Sequence, residues 1–370
     1  MEVVFWWNIP CAGMINVLKN YAEKIDTTAL VITGELSQSR KAMGWKDNGK
    51  LFDNHIVLSD EEWDYEGKKY IDKYSDRLHV FNGITYTLRM HKLIEYAISK
   101  RVAFCNMSEA YFNLEKGWKR MLKSVFISCV LPFKTKRVAH NSKGIICLSG
   151  GSARDASQFK RLGFTKFYPY GYFTEEISEL EYLPAADGKV HILCPGLLEH
   201  YKGVDILIAA LAILKKNGIT GFVCHITGSG SEKTLLKDMV RKYGLDDNVI
   251  FEGVLDQGNY NALLATIDML VAPGRVEPWG IRINEAIQRG NVVIVSDGIG
   301  ANYMIKESKG GEVFKSGSAS DLAKKLSFYV GSVENIHTAK ENNRKYKDSI
   351  SCLTQATRLQ GYINEICNKL

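Results

Sequence analysis

The sequence predicts two α/β domains, each built on a doubly wound parallel sheet. Three observations predict this class. Short apolar runs of strand type alternate with amphipathic helical patterns, which is typical of parallel sheets covered on both faces. The length of 370 residues suits about two domains. The 32 glycines suit a fold with many turns between strands and helices.

The second half of the chain shows the alternation most clearly. Continuous apolar runs predict its strands, and apolar residues at helical spacing predict the helices between them, most of which end at a glycine. The predicted strands are residues 190–194, 222–226, 249–251, 269–272 and 292–295. The predicted helices are residues 204–216, 231–243 (with Ser231 as its cap), 260–267 and 280–289. This order describes a Rossmann-like domain.

The first half repeats the pattern less clearly. The predicted strands are residues 3–7, 29–33, 56–58, 78–81, 102–105, 145–148 and 164–167. The predicted helices are residues 14–24, after a loop through Pro10 and Gly13, and residues 87–100. Residues 36–75 are polar and irregular, which predicts an insertion or a mobile loop. The acidic segment 174–188 is interpreted as a linker, so the domains are predicted to span residues 1–173 and 187–349.

The composition is that of an ordinary globular protein, with 45% hydrophobic and 24% charged residues, and this excludes a disordered chain. No apolar stretch is long enough to cross a membrane, and the first residues lack the basic segment of a secretory leader. None of the eight cysteines forms a C-x-x-C pair. Together these features predict a cytoplasmic protein. Cys129, Cys147, Cys194 and Cys224 lie in apolar runs and are expected in the core.

The net charge of +7 is concentrated in the first half of the chain. Residues 1–173 carry a net charge of +9, and residues 89–166 contain 16 basic but only 4 acidic side chains. Such a basic surface suits an anionic partner: phosphates, a membrane face or nucleic acid. It also suits a solvated surface that aids solubility. No nucleic-acid-binding motif accompanies the charge, so nucleic acid is not expected as a partner.

The residues with the clearest chemistry lie between 273 and 286. A predicted strand ends at Ala272, a loop presents Glu277, and a helix follows from about Gly280 with Glu285 inside it. The amino terminus of a helix binds anions, and a carboxylate accepts hydrogen bonds from two sugar hydroxyls at once. The pattern therefore suits a ligand with both phosphates and hydroxyls. Alternatively, Glu277 caps the helix and Glu285 is a solvated helix residue.

Residues 273–286 resemble the E-x7-E signature of the family 4 retaining glycosyltransferases, the group 1 type, with Glu277 and Glu285 as the two acids. Other segments resemble the family's motifs in the same order: 168–172 its Pro-Asn-Gly turn, 195–203 its G-R-L-x-x-x-K-G loop, 226–230 its G-x-G segment and 249–253 its V-x-F-x-G strand. The resemblance implies the GT-B fold, in which two Rossmann-like domains face a central cleft. The first domain would bind the acceptor, the second would bind a nucleotide sugar, and a helix at about 350–370 would pack back on the first.

The implied activity is transfer of a sugar from a nucleotide-diphosphate sugar to a hydroxyl of a glycan or lipid-linked acceptor, in surface polysaccharide or glycolipid assembly. The anomeric configuration is retained in this family, with the leaving phosphate accepting the acceptor's proton. The resemblance implies no cofactor, and no D-x-D pair stands at a strand end, which agrees with independence of a metal.

The resemblance also implies roles for single residues. Glu277 and Lys202 would be catalytic: Glu277 would contact the donor sugar and Lys202 would neutralise the diphosphate. Glu285 would bind the ribose. The backbone N–H groups of Gly280, Ile281 and Arg282 would hold the distal phosphate. Gly228 and Gly230 would let the chain pass close to the nucleotide, and Gly253 and Val254 would lie near the base. Gly13 of the first domain would approach the diphosphate from the other side, and Gly196 would also belong to the donor site.

Two departures from the family pattern concern charged positions. The family usually has an arginine where this chain has Leu197, and Arg282 or, as the weaker alternative, His200 is expected to replace it. The family often has a histidine after a strand of the first domain, where this chain reads residues 103–109 without one. Ser108 or Glu109 is expected in its place on the acceptor side.

Residues 114–127, with the basic residues 132–137 beyond them, mix basic and apolar side chains at helical spacing. Such a face could lie on an anionic membrane, at the inner leaflet, or pack on its own domain with its lysines in water. The sequence leaves two alternative functions for the whole chain, a GT-B-like nucleotide-sugar epimerase and an NAD-dependent Rossmann oxidoreductase. The latter is disfavoured because residues 228–230 lack the third glycine of G-x-G-x-x-G.

Overall fold

The computed structural model describes residues 2–35, 49–85, 87–115, 117–175, 183 and 185–368. The chain forms two compact units, residues 1–175 with 351–370 and residues 176–350. Each unit has a parallel sheet with helices around it, as the sequence predicts. No helix in the described ranges is both long and apolar enough to span a bilayer.

The first unit has a seven-stranded parallel sheet in the order β3-β2-β1-β4-β5-β6-β7. The strands are β1 Val3–Trp7, β2 Leu30–Gly34, β3 His55–Leu58, β4 Leu78–Asn82, β5 Phe104–Ser108, β6 Ile145–Cys147 and β7 Phe167–Pro169. The helices are α1 Ala12–Asn20, α2 Glu62–Lys73, α3 Leu88–Ser99, α4 Gly117–Val125, α5 Leu131–Asn141 and α6 Ala153–Arg161. A π-helical turn, Tyr21–Ile25, extends α1, and another, Phe126–Val130, joins α4 to α5.

The second unit has a six-stranded parallel sheet in the order β10-β9-β8-β11-β12-β13. The strands are β8 Val190–Cys194, β9 Phe222–Thr227, β10 Val249–Gly253, β11 Met269–Ala272, β12 Val292–Ser296 and β13 Gly311–Phe314. The helices are α7 Val204–Lys216, α8 Lys233–Lys242, α9 Gln257–Thr266, α10 Ile281–Gln288, α11 Asn302–Ser308, α12 Ala319–Val330 and α13 Val333–Tyr346. Short 3-10 turns stand at His200–Lys202 and Lys347–Ile350.

After α13 the chain returns to the first unit with helix α14, Cys352–Cys367. This helix packs against α1. The Tyr170 hydroxyl donates to the carbonyl oxygen of Gln355 at 2.7 Å, which attaches α14 to the segment after β7. Burial of apolar side chains on both faces of each sheet provides the core, as the continuous apolar strands predict.

Several sequence predictions are wrong in the first unit. Residues 59–73 are not irregular: Ser59 and Glu62 hydrogen-bond reciprocally at the start of α2, and Trp63 and Ile71 are buried on one face of it. The part of this region at 36–48 lies outside the described residues. Gly13 lies in the first turn of α1 rather than in a loop. Residues 164–166 precede β7 instead of forming it, because the paired segment is shifted toward Pro169.

Two further predictions are wrong at single side chains. Cys129 is exposed, because it lies in the π-helical turn on the solvent side, whereas Cys147, Cys194 and Cys224 are buried. Ser231 does not cap α8. Its hydroxyl instead donates to the Glu199 carboxylate at 2.7 Å. Eight of the fifteen residues in the predicted linker 174–188 lie outside the described residues.

Candidate functional site

The strand order of the second unit points to one edge of its sheet. β8 lies between β9 and β11, so the order of strands reverses between β8 and β11. All strands are parallel, and their carboxyl ends therefore share an edge. Ligands of doubly wound sheets bind at this edge beside the reversal, because the loops diverge there and leave a crevice. The loops after β8 and β11 carry four of the predicted site residues: Gly196, Lys202, Glu277 and Gly280.

Lys202 and Glu277 meet at this edge. Lys202 ends the 3-10 turn after β8, and Glu277 lies in the loop after β11. The Lys202 Nζ lies 2.7 Å from the Glu277 Oε1, with side chains 19% and 23% exposed. The structure thus brings together the two residues predicted to be catalytic, which are 75 positions apart in the chain.

The loops that carry this ion pair are tied together by Arg275. Its guanidinium binds both oxygens of Asp205, at 2.7 and 2.6 Å, and donates to the carbonyl oxygen of His200 at 2.7 Å. Burial acts to raise the pKa of Asp205, but the hydrogen bonds and charge of Arg275 outweigh it and lower that pKa. Gly203 has a φ of 68°, and a Cβ there would collide with the carbonyl oxygen of Pro273. The loops after β8 and β11 therefore contact each other at the backbone.

Close backbone contacts also join the loops after β8, β9 and β10. Gly228 has a φ of 104°, and a Cβ there would collide with the carbonyl oxygen of Gly196. A Cβ on Gly230 would collide with the loop after β8 as well. The N–H of Gly228 donates to the carbonyl oxygen of Gly253 at 2.5 Å, and Val254 beyond it is exposed. Four of the predicted donor-site residues are thus adjacent at the backbone.

Helix α10 begins at the same edge. Gly280 is its amino-terminal cap, with a φ of 94°, and a Cβ there would lie 2.8 Å from the Ile299 side chain. No side chain caps the helix. The first N–H groups of a helix, here from Ile281 and Arg282 onward, have no partners within it and carry a partial positive charge. The edge can therefore hold an anion.

Glu285 is held by Arg282 one turn earlier on α10. The Arg282 Nη1 lies 3.0 and 2.8 Å from the two carboxylate oxygens, and its guanidinium stacks 4.1 Å from the centre of the Tyr260 ring. The Arg282 side chain is 40% exposed, whereas that of Glu285 is 11% exposed. Burial acts to lower the pKa of Arg282, but the charge of Glu285 and the Tyr260 hydroxyl together raise it.

The geometry does not match the two alternative readings of the acids. Glu277 pairs with Lys202 through its side chain, and its backbone bonds to Gly298 and Gly300, so it does not cap α10. Glu285 is buried and ion-paired instead of solvated. Leu197 is exposed, and the exposed His200 lies 3.5 Å from Glu232.

Three side chains that could hold a metal ion approach within 4.8 Å of one another: His200, Asp205 and Glu232. Both oxygens of Asp205 already bind Arg275. Arg275 therefore accounts for the Asp205 carboxylate without a metal ion.

The predicted acceptor-side residues lie together in the first unit. Ser108 ends β5, and the Glu109 carboxylate accepts a 2.8 Å hydrogen bond from the Tyr172 hydroxyl. The next residue, Phe173, donates its N–H to the carbonyl oxygen of Gly13 at 2.7 Å. Burial, then the charge of Glu109, raises the pKa of Tyr172. The structure thus brings Gly13 and Glu109 close through two consecutive residues after β7.

The first unit also presents an apolar surface on the segment 114–133. Eight large apolar side chains there are exposed, Phe133 by 82%, and no residue of α4 is buried. Basic side chains lie among them, with the Lys134 Nζ 5.5 Å above the Phe126 ring. We call this set the apolar helical surface; its members are Leu114, Trp118, Met121, Leu122, Val125, Phe126, Val130 and Phe133.

Sequence reasoning missed Tyr172, Arg275 and Glu199. Arg275 stands two positions before Glu277, where its conformation depends on a partner 70 residues away. Tyr172 lies in the segment that matches the family's turn, but its bond to Glu109 links residues 63 apart. Such pairings leave no local pattern in the sequence. For Arg275, the available signal was a charged residue within the segment 273–286 to which no role had been assigned.

Comparison with known proteins shows which family the second half of the chain is similar to. Residues 178–346, nearly half of the chain, match the family model of glycosyl transferases group 1. An uncharacterized glycosyltransferase of Methanocaldococcus jannaschii is 30% identical over 137 residues, which are 37% of this chain and 35% of the relative. The chain thus matches about a third of that relative's length.

Solved structures extend the likeness to the whole chain. The Anabaena protein HepE in complex with UDP has a TM-score of 0.66 at 15% identity, covering 99% of this chain and 100% of that one. The lipopolysaccharide outer core galactosyltransferase WaaB has a TM-score of 0.67 at 14% identity and covers both chains fully. At this identity the likeness establishes the fold. The chain therefore has the GT-B fold, and its residues 178–346 match the family model of the glycosyl transferases group 1.

Proposed function

We propose that this protein is a retaining glycosyltransferase, which moves a sugar from a nucleotide-diphosphate sugar to a hydroxyl of a glycan or glycolipid acceptor. One observation supports this most strongly. Two ion pairs, Lys202–Glu277 and Arg282–Glu285, stand at the strand edge where α10 begins. Each pair supplies a cation that suits a phosphate and a carboxylate that suits sugar hydroxyls. A diphosphate with a sugar on either side matches both.

The cations and the helix would bind the diphosphate. The ammonium of Lys202 and the guanidinium of Arg282 each give up a carboxylate and take a phosphate oxygen, while the first N–H groups of α10 hold the distal phosphate. These groups favour the charge that develops on the leaving phosphate, because they are held in place before the reaction. No resident cofactor or metal is needed for this part of the proposal.

The carboxylates would bind the two sugars. Glu285, nearly buried on α10, accepts hydrogen bonds from two ribose hydroxyls, and Glu277 accepts from the donor sugar. The negative charge of Glu277 also stabilises the positive charge that develops at the sugar's anomeric carbon. Donor binding thus exchanges each internal ion pair for contacts with the ligand.

The reaction breaks the bond between the anomeric carbon and the diphosphate oxygen. The acceptor oxygen bonds to that carbon from the same face, and its proton passes to the leaving phosphate oxygen. The products are the glycoside and a nucleoside diphosphate, with the configuration retained. Glu277 remains a charge-stabilising group here and does not form the covalent intermediate of a retaining glycosidase.

The experiment that tests this proposal is thermal melting against UDP, GDP, ADP, dTDP, CMP and NAD, each with magnesium and with EDTA. A ligand at a hundred times its Kd raises the free energy of unfolding of the protein by about 2.7 kcal/mol. We expect a shift with one nucleoside diphosphate that persists in EDTA and disappears in Glu285→Ala. A shift with NAD alone would favour the oxidoreductase, and the absence of any shift would overturn the proposal.

We further propose that the apolar helical surface holds the enzyme on an anionic membrane face, the inner leaflet of the cytoplasmic membrane, and so near a lipid-linked acceptor. Exposed apolar side chains enter the headgroup region, and the neighbouring lysines and arginines bind anionic lipids. Single exposed apolar residues are common, but eight within residues 114–133 are not.

Co-sedimentation with vesicles tests the membrane proposal. Vesicles with anionic lipid at low salt should bind the protein, and Phe133→Ser together with Trp118→Ser should weaken binding at least tenfold. Val333→Ser, which changes an equally exposed residue of the second unit, should have no effect. Equal binding of the double variant and Val333→Ser to the vesicles, or no binding of the wild type to anionic vesicles, would contradict the proposal.

A further inference from the structure

Arg289 carries a buried charge that nothing in the described part of the structure neutralises directly. It follows α10 and lies one turn beyond Glu285. All three nitrogens of its guanidinium side chain, Nε, Nη1 and Nη2, are buried, and none has a hydrogen-bond partner among the described residues. A guanidinium placed in this way is costly, because it loses its water without gaining another partner.

The carboxylate whose charge acts on Arg289 is Glu285. Burial lowers the pKa of Arg289, and the charge of Glu285, followed by the Tyr260 hydroxyl, partly opposes this. Both oxygens of Glu285 are occupied by Arg282 instead. Two arginines, one in the first turn of α10 and one at its carboxyl-terminal cap, therefore share a single nearby carboxylate, and only Arg282 is bonded to it.

The two arginines differ in their freedom to move. The Arg282 side chain is 40% exposed and lies in the first turn of α10, whereas the nitrogens of Arg289 are enclosed. A positive charge in the first turn of a helix is unfavourable next to the helix dipole unless an anion is present. Arg282 is thus the partner that can leave Glu285 for an anion, and Arg289 is the one that remains.

We propose that Arg289 is a positioning residue for Glu285: it takes over the carboxylate when Arg282 turns to the donor's diphosphate. Without Arg289, Arg282 could reach the diphosphate only by leaving the buried charge of Glu285 without a cationic partner. With it, Glu285 stays ionised and oriented toward the ribose. The contact with the diphosphate and the ribose rests on the function proposed above, but the exchange of Glu285 between two arginines does not.

A melting cycle without ligand tests the exchange. In the otherwise unchanged protein, Arg289→Met removes a buried charge without a bonded partner and should raise the melting temperature by about 2 °C or leave it unchanged. In the Arg282→Met background, Arg289 is the remaining cation for Glu285, and the same change should lower the melting temperature by about 2 °C or more. Equal effects in both backgrounds would overturn the proposal.

Binding of the nucleoside diphosphate identified by the melting panel tests the role in the donor site. Arg289→Met should weaken binding about tenfold in the wild-type background but less than twofold in Glu285→Gln, where no carboxylate charge needs a partner. Equal losses in both backgrounds would indicate a merely structural role and would overturn the proposal. Arg344→Met, an arginine paired with Glu341 on the surface, is the matched control and should not change binding. If the wild type binds no nucleoside diphosphate, the proposed function fails, and the melting cycle alone decides on Arg289.

Discussion

Replacing Lys202 by methionine tests the proposed diphosphate contact in isolation. The ammonium makes a 2.7 Å ion pair with Glu277, and both side chains are less than a quarter exposed. In the donor complex it would exchange this partner for a phosphate oxygen. Lys202→Met therefore removes one charge-assisted hydrogen bond to the ligand and leaves the negative charge of Glu277 beside the diphosphate.

The magnitude follows from these two effects. A hydrogen bond to a charged group contributes about 1.5–3 kcal/mol, which is about 10- to 150-fold in Kd. The uncompensated Glu277 adds repulsion, so we expect the loss to lie toward the upper end of that range. Lys202→Met with Glu277→Gln should recover part of it, because the second change removes the repelling charge.

Isothermal titration with the nucleoside diphosphate and with its nucleoside measures the effect. Lys202→Met should weaken binding of the diphosphate strongly and binding of the nucleoside less than twofold, since only the diphosphate reaches Lys202. Lys325→Met, which breaks a 2.6 Å pair with Glu312 in the same unit, should leave both unchanged. Equal losses for the two ligands, or no loss for the diphosphate, would refute the reasoning.

Three further predictions concern other parts of the molecule. Arg282→Ala should weaken nucleoside diphosphate binding about tenfold, the scale of one charge-assisted hydrogen bond, and an unchanged Kd would remove Arg282 from the site. Gly228→Ala should abolish measurable binding while the second unit still unfolds cooperatively, because its Cβ would push the loop at Gly196 away; wild-type affinity would show that these loops do not form the site. Burial lowers the pKa of His79 to about 4, so stability should fall by up to about 3 kcal/mol as the pH drops from about 6.5 to 4, because the unfolded chain takes up the proton first. Urea unfolding across this pH range should show this loss of stability in the wild type and a smaller loss in His79→Gln. Parallel profiles of unfolding free energy against pH for the two proteins would contradict the prediction.

The predicted loss of stability at low pH depends on a fixed tautomer of His79. The Trp6 indole N–H donates to the Nδ1 of His79 at 2.9 Å, and the Nε2 lies 2.9 Å from the carbonyl oxygen of Tyr74. The imidazole therefore carries its proton on Nε2 and accepts on Nδ1. Protonating Nδ1 would replace an acceptor by a donor opposite the indole, and the Trp6 hydrogen bond would be lost.

The strands were predictable from the sequence where both faces of the sheet are buried. β11 has the predicted bounds because it is an uninterrupted apolar run, and β8 has them because His191 is the only polar residue among its apolar ones. Helix α2 was not predicted, since its amphipathic face consists of Trp63, Gly67 and Ile71 among charged residues, and the sequence pattern there looked irregular. The Ser59–Glu62 capping pair was the local signal that could have identified it.

The candidate site was predictable only as a set of residues and not as a set of contacts. Glu277, Glu285 and Lys202 stand out by spacing and by resemblance to known motifs. The Arg282–Glu285 pair could be expected from its i, i+3 spacing on a helix. The pairs Lys202–Glu277 and Arg275–Asp205 join positions about 70 residues apart in the chain, and only the strand order brings them to one edge.

The measurement that tests the central claim most directly is release of a nucleoside diphosphate from sugar nucleotides. The full chain is incubated in EDTA with sugars activated by UDP, GDP, ADP or dTDP, together with mixed glycan and glycolipid acceptors, and the released diphosphate is quantified. We predict release from donors of one base, stimulated by an acceptor and reduced at least a hundredfold in Glu285→Ala and in Lys202→Met. Absence of release from every donor, or release that both variants retain, would contradict the assignment of this edge as a sugar-transfer site.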